Sequence, residues 1–105
     1  MEEHKIQEIQ MLEQSLQNLL LQKQAFQMEL SETEAALQAI AESGDEVFKI
    51  IGQLMVKTEK PKVTEELESK KKMLELRTKT METQENSLTE QLEKLREEVM
   101  KTMKK

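Results

Sequence analysis

The chain has 105 residues, of which 35% are charged and 2% aromatic, and it contains no cysteine. This composition is typical of a long-helix or coiled-coil protein and excludes a compact globule with a deep pocket, disulfides and thiol chemistry. The net charge of −5 argues against a nucleic-acid partner, and no apolar stretch approaches membrane-spanning length. The acidic N-terminus is unlike a signal peptide. We therefore predict one soluble, cytoplasmic domain over residues 1–105.

The first predicted element is a helix over residues 2–43 that carries a coiled-coil seam. Its seam positions alternate in steps of three and four residues, and eight of the ten are apolar. They are Ile9, Leu12, Leu16, Leu19, Lys23, Phe26, Leu30, Thr33, Leu37 and Ile40. Polar residues such as Lys23 and Thr33 often fix register and partner choice. Alternatively, Lys23 only extends to water along an apolar stem, which is the interpretation we favour.

A β-hairpin is predicted next, over residues 46–58. The helix before it is expected to end at Ser43 and Gly44, with Gly44 in the left-handed conformation that often follows a helix. Two short apolar runs then flank the Gly52-Gln53 step. Because glycine readily supplies the positive φ of a tight turn, this pattern indicates two paired strands.

The predicted hairpin is apolar on both faces. Strand alternation places Val47 and Ile51 on one face and Phe48 and Ile50 on the other. A lone hairpin is marginal in water, and the flanking helices can cover only part of this one. We therefore expect it to pair with hairpins of other chains. The predicted oligomerisation residues are Val47, Phe48, Ile50, Ile51, Gly52, Leu54, Met55 and Val56.

The second helix is predicted over residues 61–103, with Pro61 in its first turn, where a missing N–H is tolerated. An apolar residue recurs every seven positions, at Leu67, Leu74, Met81, Leu88 and Leu95. The seam positions between them are assigned to Lys70, Arg77, Gln84 and Gln91, which predicts a loose coil over residues 70–87. A fuller stripe is expected toward the end, at Leu92, Leu95, Val99 and Met103. Two helices of similar length joined by a hairpin should fold back as an antiparallel pair.

No catalytic, cofactor-binding or metal site is predicted, and the protein is not expected to be an enzyme. The single histidine, His4, has no partner at metal-ligand spacing. Glu65-Glu66 and Glu97-Glu98 are adjacent carboxylates, but general acid–base catalysis needs a desolvated site that separates their pKa values. Neighbours on an open helix point in different directions, so these pairs are interpreted as solvated residues.

Eight methionines and few aromatic residues form an adaptable apolar set that suits binding of varied partners. The predicted binding residues lie near the two chain ends: Ile6, Ile9, Met11, Leu12, Leu95, Val99, Met100 and Met103. The alternative is that they only pack against the opposite helix. Met11 and Met100 fall outside the main stripe and are the better candidates for exposed contacts.

The combined pattern closely resembles a prefoldin subunit of the beta class. The resemblance is carried by VFKIIGQLMVKTEK at 47–60, VTEELESKKKMLELR at 63–77 and QKQ at 22–24. It implies a mainly α fold, a long antiparallel coiled-coil hairpin whose central β-hairpin joins an inter-subunit β-barrel. It also implies a hetero-hexamer in which four beta-class chains assemble with two alpha-class chains.

The resemblance further implies an ATP-independent chaperone. The coiled-coil tips would hold non-native polypeptides and pass them to a group II chaperonin, without a cofactor, nucleic acid or membrane. Lys101, Lys104 and Lys105 would then meet an acidic chaperonin surface, although the chain is shorter at both ends than typical members. The alternative is a structural coiled-coil adaptor without affinity for unfolded chains. A simple adaptor has little need of a two-faced apolar hairpin.

Overall fold

The computed structural model describes residues 2–103. Its elements are α1 (Glu2–Glu42), β1 (Glu46–Ile51), β2 (Leu54–Glu59) and α2 (Lys60–Met103). The predicted fold class, long helices around a central antiparallel hairpin, is confirmed. Packing divides the chain into a hairpin unit, Phe26–Arg77, and a terminal unit formed by the described residues before Phe26 and after Arg77. A single domain over residues 1–105 stays a prediction.

The seam predicted for α1 is the shielded face of that helix. Every seam position from Ile9 to Ile40 is buried or half-buried. Thr33 tolerates burial because its hydroxyl donates a 2.8 Å hydrogen bond to the Glu29 carbonyl oxygen, one turn earlier. A polar side chain therefore occupies the seam without leaving a buried donor unpaired.

Half of the seam predicted for α2 is wrong. The heptad residues Leu67, Leu74, Met81, Leu88 and Leu95 are shielded, but Lys70, Arg77, Gln84 and Gln91 are exposed. The shielded positions between the heptad residues lie one residue later, at Lys71, Thr78, Glu85, Leu92 and Val99. A repeat of seven alone permits a step of either three or four after each apolar residue. In this helix the step is four.

The corrected seam is still polar over residues 70–87, at Lys71, Thr78 and Glu85, so a loose coil there stays a prediction. Within that stretch, Leu74 is only 2% exposed and is the most deeply buried apolar side chain among the described residues. Arg77, although exposed, lies over the half-buried Phe26 ring, with its Cζ atom 5.7 Å from the ring centroid. This cation–π contact covers the seam of the hairpin unit from outside.

Side chains cap the end of α1, where a left-handed glycine was expected. Gly52 is the one described residue with positive φ, so the prediction for Gly44 is wrong. The backbone N–H and the hydroxyl of Ser43 both donate to the Ile40 carbonyl oxygen, at 3.1 and 2.8 Å. The Lys60 ammonium donates to the Ser43 carbonyl oxygen at 2.9 Å. These bonds satisfy carbonyl groups at the helix end, so the chain leaves α1 without a left-handed residue.

Candidate functional site: the hairpin and the chain ends

The hairpin backbone is set by a two-residue turn. β1 and β2 pair antiparallel from Glu46 opposite Glu59 to Ile51 opposite Leu54. Gly52, the first turn residue, has a φ of 62°. A positive φ at the first central position alone is the pattern of a type II′ turn, whose twist matches that of paired strands.

The register divides the hairpin side chains between two faces. One face carries Val47, Lys49, Ile51, Leu54, Val56 and Thr58, and the other carries Glu46, Phe48, Ile50, Met55, Lys57 and Glu59. Six apolar side chains are exposed, and together they form what we call the hairpin surface: Phe48, Ile50, Ile51, Leu54, Met55 and Val56. Each face contributes three of them, as the sequence predicted for a hairpin apolar on both sides.

Val47 differs from the other predicted oligomerisation residues because the chain itself buries it, to 8% exposure. It anchors the hairpin and offers no free surface. An open groove of about 330 Å³ lies between the end of α1 and the hairpin, with Ile40, Phe48 and Met55 among its lining residues. Phe48 thus stands at the edge of a space that its own chain leaves unfilled.

Within the described part of the chain, two ion pairs involve hairpin side chains: one joins the hairpin to α2, and the other joins its two strands. Lys49 on β1 donates a 2.9 Å hydrogen bond to the Glu66 carboxylate on α2. This bond, more than the nearby charges of Lys49 and Lys62, lowers the pKa of Glu66 from its ordinary value of 4.5. Lys57 and Glu46 form a longer, exposed pair at 3.6 Å. The charged contacts therefore lie away from the apolar turn end.

The terminal unit contains a second apolar feature, which we call the chain-end groove. Met11, Leu12 and Leu95 form its apolar part, and the groove has a volume of about 400 Å³. Polar side chains also line it: Glu8, Gln91, Lys94 and Glu98. Both helices contribute to the groove, so it exists only where α1 and α2 are paired.

The predicted binding residues near the chain ends separate into two groups. Ile6, Met11, Met100 and Met103 are exposed, whereas Ile9, Leu12, Leu95 and Val99 are half-buried or buried in the seam. For Val99, which is 9% exposed, the structure supports packing against the opposite helix. Met103 is 74% exposed, so its predicted place in the final stripe is wrong. Met11 and Met100 are exposed as predicted.

Lysine residues at the C-terminus were predicted to contact a chaperonin. Lys101 is exposed at the end of α2. Lys104 and Lys105 lie outside the described residues. Their role stays a prediction.

Lys23 makes a contact that the favoured sequence interpretation did not include. Its ammonium donates a 3.0 Å hydrogen bond to Glu85 on α2, and it lies 3.8 Å from a Glu82 oxygen. The side chain of Lys23 is only 20% exposed. The hydrogen bond to Glu85 is the largest of the influences that raise the pKa of Lys23 above 10.5. The idea that Lys23 only reaches for water is therefore wrong.

Among residues 2–103, no helix is long and apolar enough to cross a membrane. The same residues include no cluster of side chains suited to holding a metal ion. His4 is exposed, as are the adjacent carboxylates at Glu65-Glu66 and Glu97-Glu98. These side chains lie on open helix surface, as the sequence predicted.

These features define a coiled-coil protein whose central two-stranded β-hairpin exposes apolar side chains on both faces. A profile of the prefoldin subunit family matches residues 3–105, and the chain belongs to this family. It is 40% identical over 99 residues to prefoldin subunit beta of Sulfurisphaera tokodaii, which covers 92% of this chain and 79% of that protein. It is 39% identical over 94 residues to prefoldin subunit beta of Thermococcus onnurineus, with 88% and 81% covered.

A solved structure agrees with the sequence relatives. The crystal structure of the prefoldin beta subunit from Thermococcus strain KS-1 matches with a TM-score of 0.88 at 35% identity, covering 96% of this chain and 90% of that chain. The predicted resemblance to the beta class is confirmed. Prefoldin is a chaperone family and not an enzyme family, and membership implies assembly with other prefoldin subunits.

Sequence reasoning missed the charged partners of the site residues. Glu85 was left outside the predicted seam, Glu82 was not singled out, and Glu66 was interpreted only as a solvated carboxylate. A signal for the first two existed: Glu82 and Glu85 are three residues apart and therefore share one helix face. Predicting Lys23 as their partner requires knowing which α2 residues face the seam and which residues of the two helices lie opposite each other. Seam spacing alone does not provide this.

Proposed function

We propose that the chain is the beta-class subunit of an ATP-independent holdase chaperone. It assembles through its hairpin into a hetero-hexamer of four beta-class and two alpha-class chains, binds unfolded polypeptides at its coiled-coil tips and delivers them to a group II chaperonin. The observation that carries the proposal is the hairpin surface, with three exposed apolar side chains on each face of a two-stranded sheet. Family membership supplies the class of partner.

The hairpin surface supports assembly energetically. Burying one large apolar side chain contributes roughly 1.5–3 kcal/mol, so covering six would contribute on the order of 10 kcal/mol. Association itself costs about 4–15 kcal/mol, so a partner covering a single face would gain little net stability. Both strands also have unpaired edges, which a closed barrel would remove. Strands and side chains from several other subunits meet both needs.

The chain-end groove and the exposed methionines beside it support binding of unfolded polypeptides. Met11 is 71% exposed, and it adjoins the half-buried Leu12 and Leu95 in the groove. Unbranched, polarizable methionine side chains adapt to differently shaped apolar partners. Lys94 and Glu98 at the groove can contact polar backbone groups of a bound segment. We propose that this groove and Met100 hold apolar side chains of non-native proteins.

Delivery to a group II chaperonin, in the cytoplasm, is proposed from family membership. Lys101 is exposed and suits contact with an acidic surface. The same contact is proposed for Lys104 and Lys105. The exposed charge would act mainly on the association rate and would weaken with added salt.

The test combines native mass spectrometry with an aggregation assay. The chain is purified from its own host by a tag, and we expect a longer helical alpha-class chain to copurify in a two-to-four ratio. The complex should suppress light scattering by a denatured protein without ATP. A lone monomer or dimer would contradict the assembly proposal. An intact hexamer that leaves aggregation unchanged would instead identify a structural adaptor.

A further inference from the structure

A charged layer interrupts the apolar seam of the terminal unit. Lys23 on α1 and Glu85 on α2 both occupy seam positions, and their side chains are 20% and 28% exposed. Glu82, one turn away on α2, lies 3.8 Å from the same ammonium and is 52% exposed. One cation and two carboxylates thus form a single contact between the helices, which we call the Lys23 layer.

The remaining seam of this unit carries little information about its partner. On α1 it consists of Ile9, Leu12, Leu16 and Leu19, and on α2 it consists of Thr78, Met81, Leu88, Leu92, Leu95 and Val99. Seams made almost entirely of apolar residues can also pack against another copy of the same helix. The flanking pairs, Lys5 with Glu98 and Glu13 with Arg96, are largely exposed and discriminate weakly.

The Lys23 layer is asymmetric between the two helices. A parallel pair of two α1 helices would place Lys23 beside its own copy, and a parallel pair of two α2 helices would bring Glu82 and Glu85 beside theirs. A lysine ammonium and glutamate carboxylates are ordinarily charged at neutral pH, so each homotypic pair would bring like charges together. Like charges in a half-shielded seam disfavour both homotypic pairs.

We propose that Lys23, Glu82 and Glu85 form a specificity determinant that makes α1 pair with α2 and prevents pairing of like helices from neighbouring copies. The need for this device rests on the proposed function, because assembly through hairpins brings several similar coils together. The chain-end groove depends on it, since Met11 and Leu12 come from α1 and Leu95 from α2.

The absence of cysteine allows a direct test in the full chain, within the assembled complex. A single Leu16→Cys substitution places a thiol in the α1 seam, where it meets its own copy only in a parallel homotypic pair. Leu92→Cys reports in the same way on α2. Disulfide-linked dimers formed under mild oxidation are measured on non-reducing gels. Gln14→Cys, at an exposed position, gives the level of dimer formed by collision.

With the native layer, we expect Leu16→Cys dimers no higher than this collision level. Replacing the layer with leucine, as Lys23→Leu with Glu85→Leu, should raise them several-fold while helix content is retained. The charge exchange Lys23→Glu with Glu82→Lys and Glu85→Lys should restore the native level, which a role in packing alone does not predict. Gln84→Leu, an exposed neighbour, is the matched control and should change nothing.

Two outcomes would overturn the inference: no rise in dimers at both reporter positions in the leucine variant, or no rescue by the exchanged charges. Native mass spectrometry of the same samples separates this from failure of the proposed function. If the chain with the native Lys23 layer does not assemble, the assembly proposal is contradicted. Intact assembly without any rise in homotypic dimers contradicts only the specificity determinant.

Discussion

Lys49 on β1 and Glu66 on α2 join the hairpin to the second helix through a 2.9 Å hydrogen bond. The bond favours the charged carboxylate and therefore lowers the pKa of Glu66. A group whose pKa is lower in the folded state stabilises the fold above its unfolded pKa. That contribution is lost as the pH falls through the folded pKa. The hairpin is thus anchored by a contact that functions at neutral pH and weakens in acid.

The first prediction concerns this acid dependence. Glu66→Gln should lower the thermal stability of the chain at pH 7. The difference in stability from the native chain should disappear as the pH falls below 4.5 and then through the lowered pKa of Glu66 in the folded state, because the carboxylate becomes protonated. Thermal unfolding followed by circular dichroism at a series of pH values checks this. Glu65→Gln, on the neighbouring exposed residue, is the control. A difference that stays constant into strong acid would show that the ion pair is not its cause.

The second prediction concerns the hairpin surface. Phe48→Glu should dissociate the assembly while leaving most of the helix content, because it places a charge where partner strands are proposed to pack. Met28→Glu introduces the same charge at an exposed methionine on α1 and should leave assembly intact. Sedimentation velocity gives the assembly mass, and circular dichroism gives the helix content. A Phe48→Glu complex of full mass would contradict the assembly role of this face.

The third prediction compares the two glycines. Gly52 has a φ of 62°, and an added Cβ would meet no atom within 4 Å, so substitution there is opposed by backbone strain and not by crowding. Gly52→Ala should destabilise the hairpin by about 1–2 kcal/mol.

Gly44 is the matched control for this comparison, since its φ is not positive and the space around it is also open. Gly44→Ala should be neutral or stabilise the chain by about 0.4–1 kcal/mol, through lower entropy of the unfolded chain. Denaturant unfolding of both variants measures the two signs. Equal losses at both positions would mean that turn conformation is not the determining factor.

The fold could be predicted from the sequence because its signals are local. The glycine step between two apolar runs specified the hairpin, and steps of three and four specified the α1 seam. The seam positions of α2 were predicted wrongly because the seven-residue repeat permits a step of either three or four residues to the next seam position. The correct positions could not be recognised by apolar character, since Lys71, Thr78 and Glu85 are polar. The left-handed conformation predicted for Gly44 was wrong because the prediction did not include Lys60. The side chain of Lys60 comes from a later element and donates to the Ser43 carbonyl oxygen.

The apolar part of the site could be predicted from the sequence, but the burial of its residues and their charged partners could not. Alternation identified both faces of the hairpin surface, but not that Val47 is buried by its own chain. Burial of that residue depends on how the hairpin meets the helices, which strand alternation does not describe. Likewise, Lys23 could be recognised as an interruption of the seam. Its carboxylate partners could not be identified without knowing which residues of α1 and α2 lie opposite each other.

The fourth prediction concerns client capture at the chain ends. Replacing Met11 and Met100 with glutamine should weaken suppression of aggregation several-fold, because glutamine retains length and helix propensity but removes the apolar contact. The matched control replaces Met28 and Met73, which are exposed methionines of the hairpin unit, with glutamine. Light scattering of a denatured client measures capture, and native mass spectrometry verifies assembly. Equal effects of the two pairs would place the binding site elsewhere.

The fifth prediction is that mild peroxide treatment weakens capture. Hydrogen peroxide transfers an oxygen atom to the thioether of methionine and leaves water, which converts an apolar side chain into a polar sulfoxide. The exposed Met11, Met100 and Met103 should be oxidised before the half-buried Met81, as peptide mass spectrometry can show.

A variant with leucine at these three exposed positions serves as the control for the peroxide experiment. Leucine keeps the apolar surface but cannot form a sulfoxide, so this variant should retain its capture of unfolded protein after treatment. The native chain should lose capture in proportion to sulfoxide formed at the three methionines. An equal loss in the leucine variant would assign the sensitivity to methionines outside the chain ends, such as Met55 on the hairpin surface.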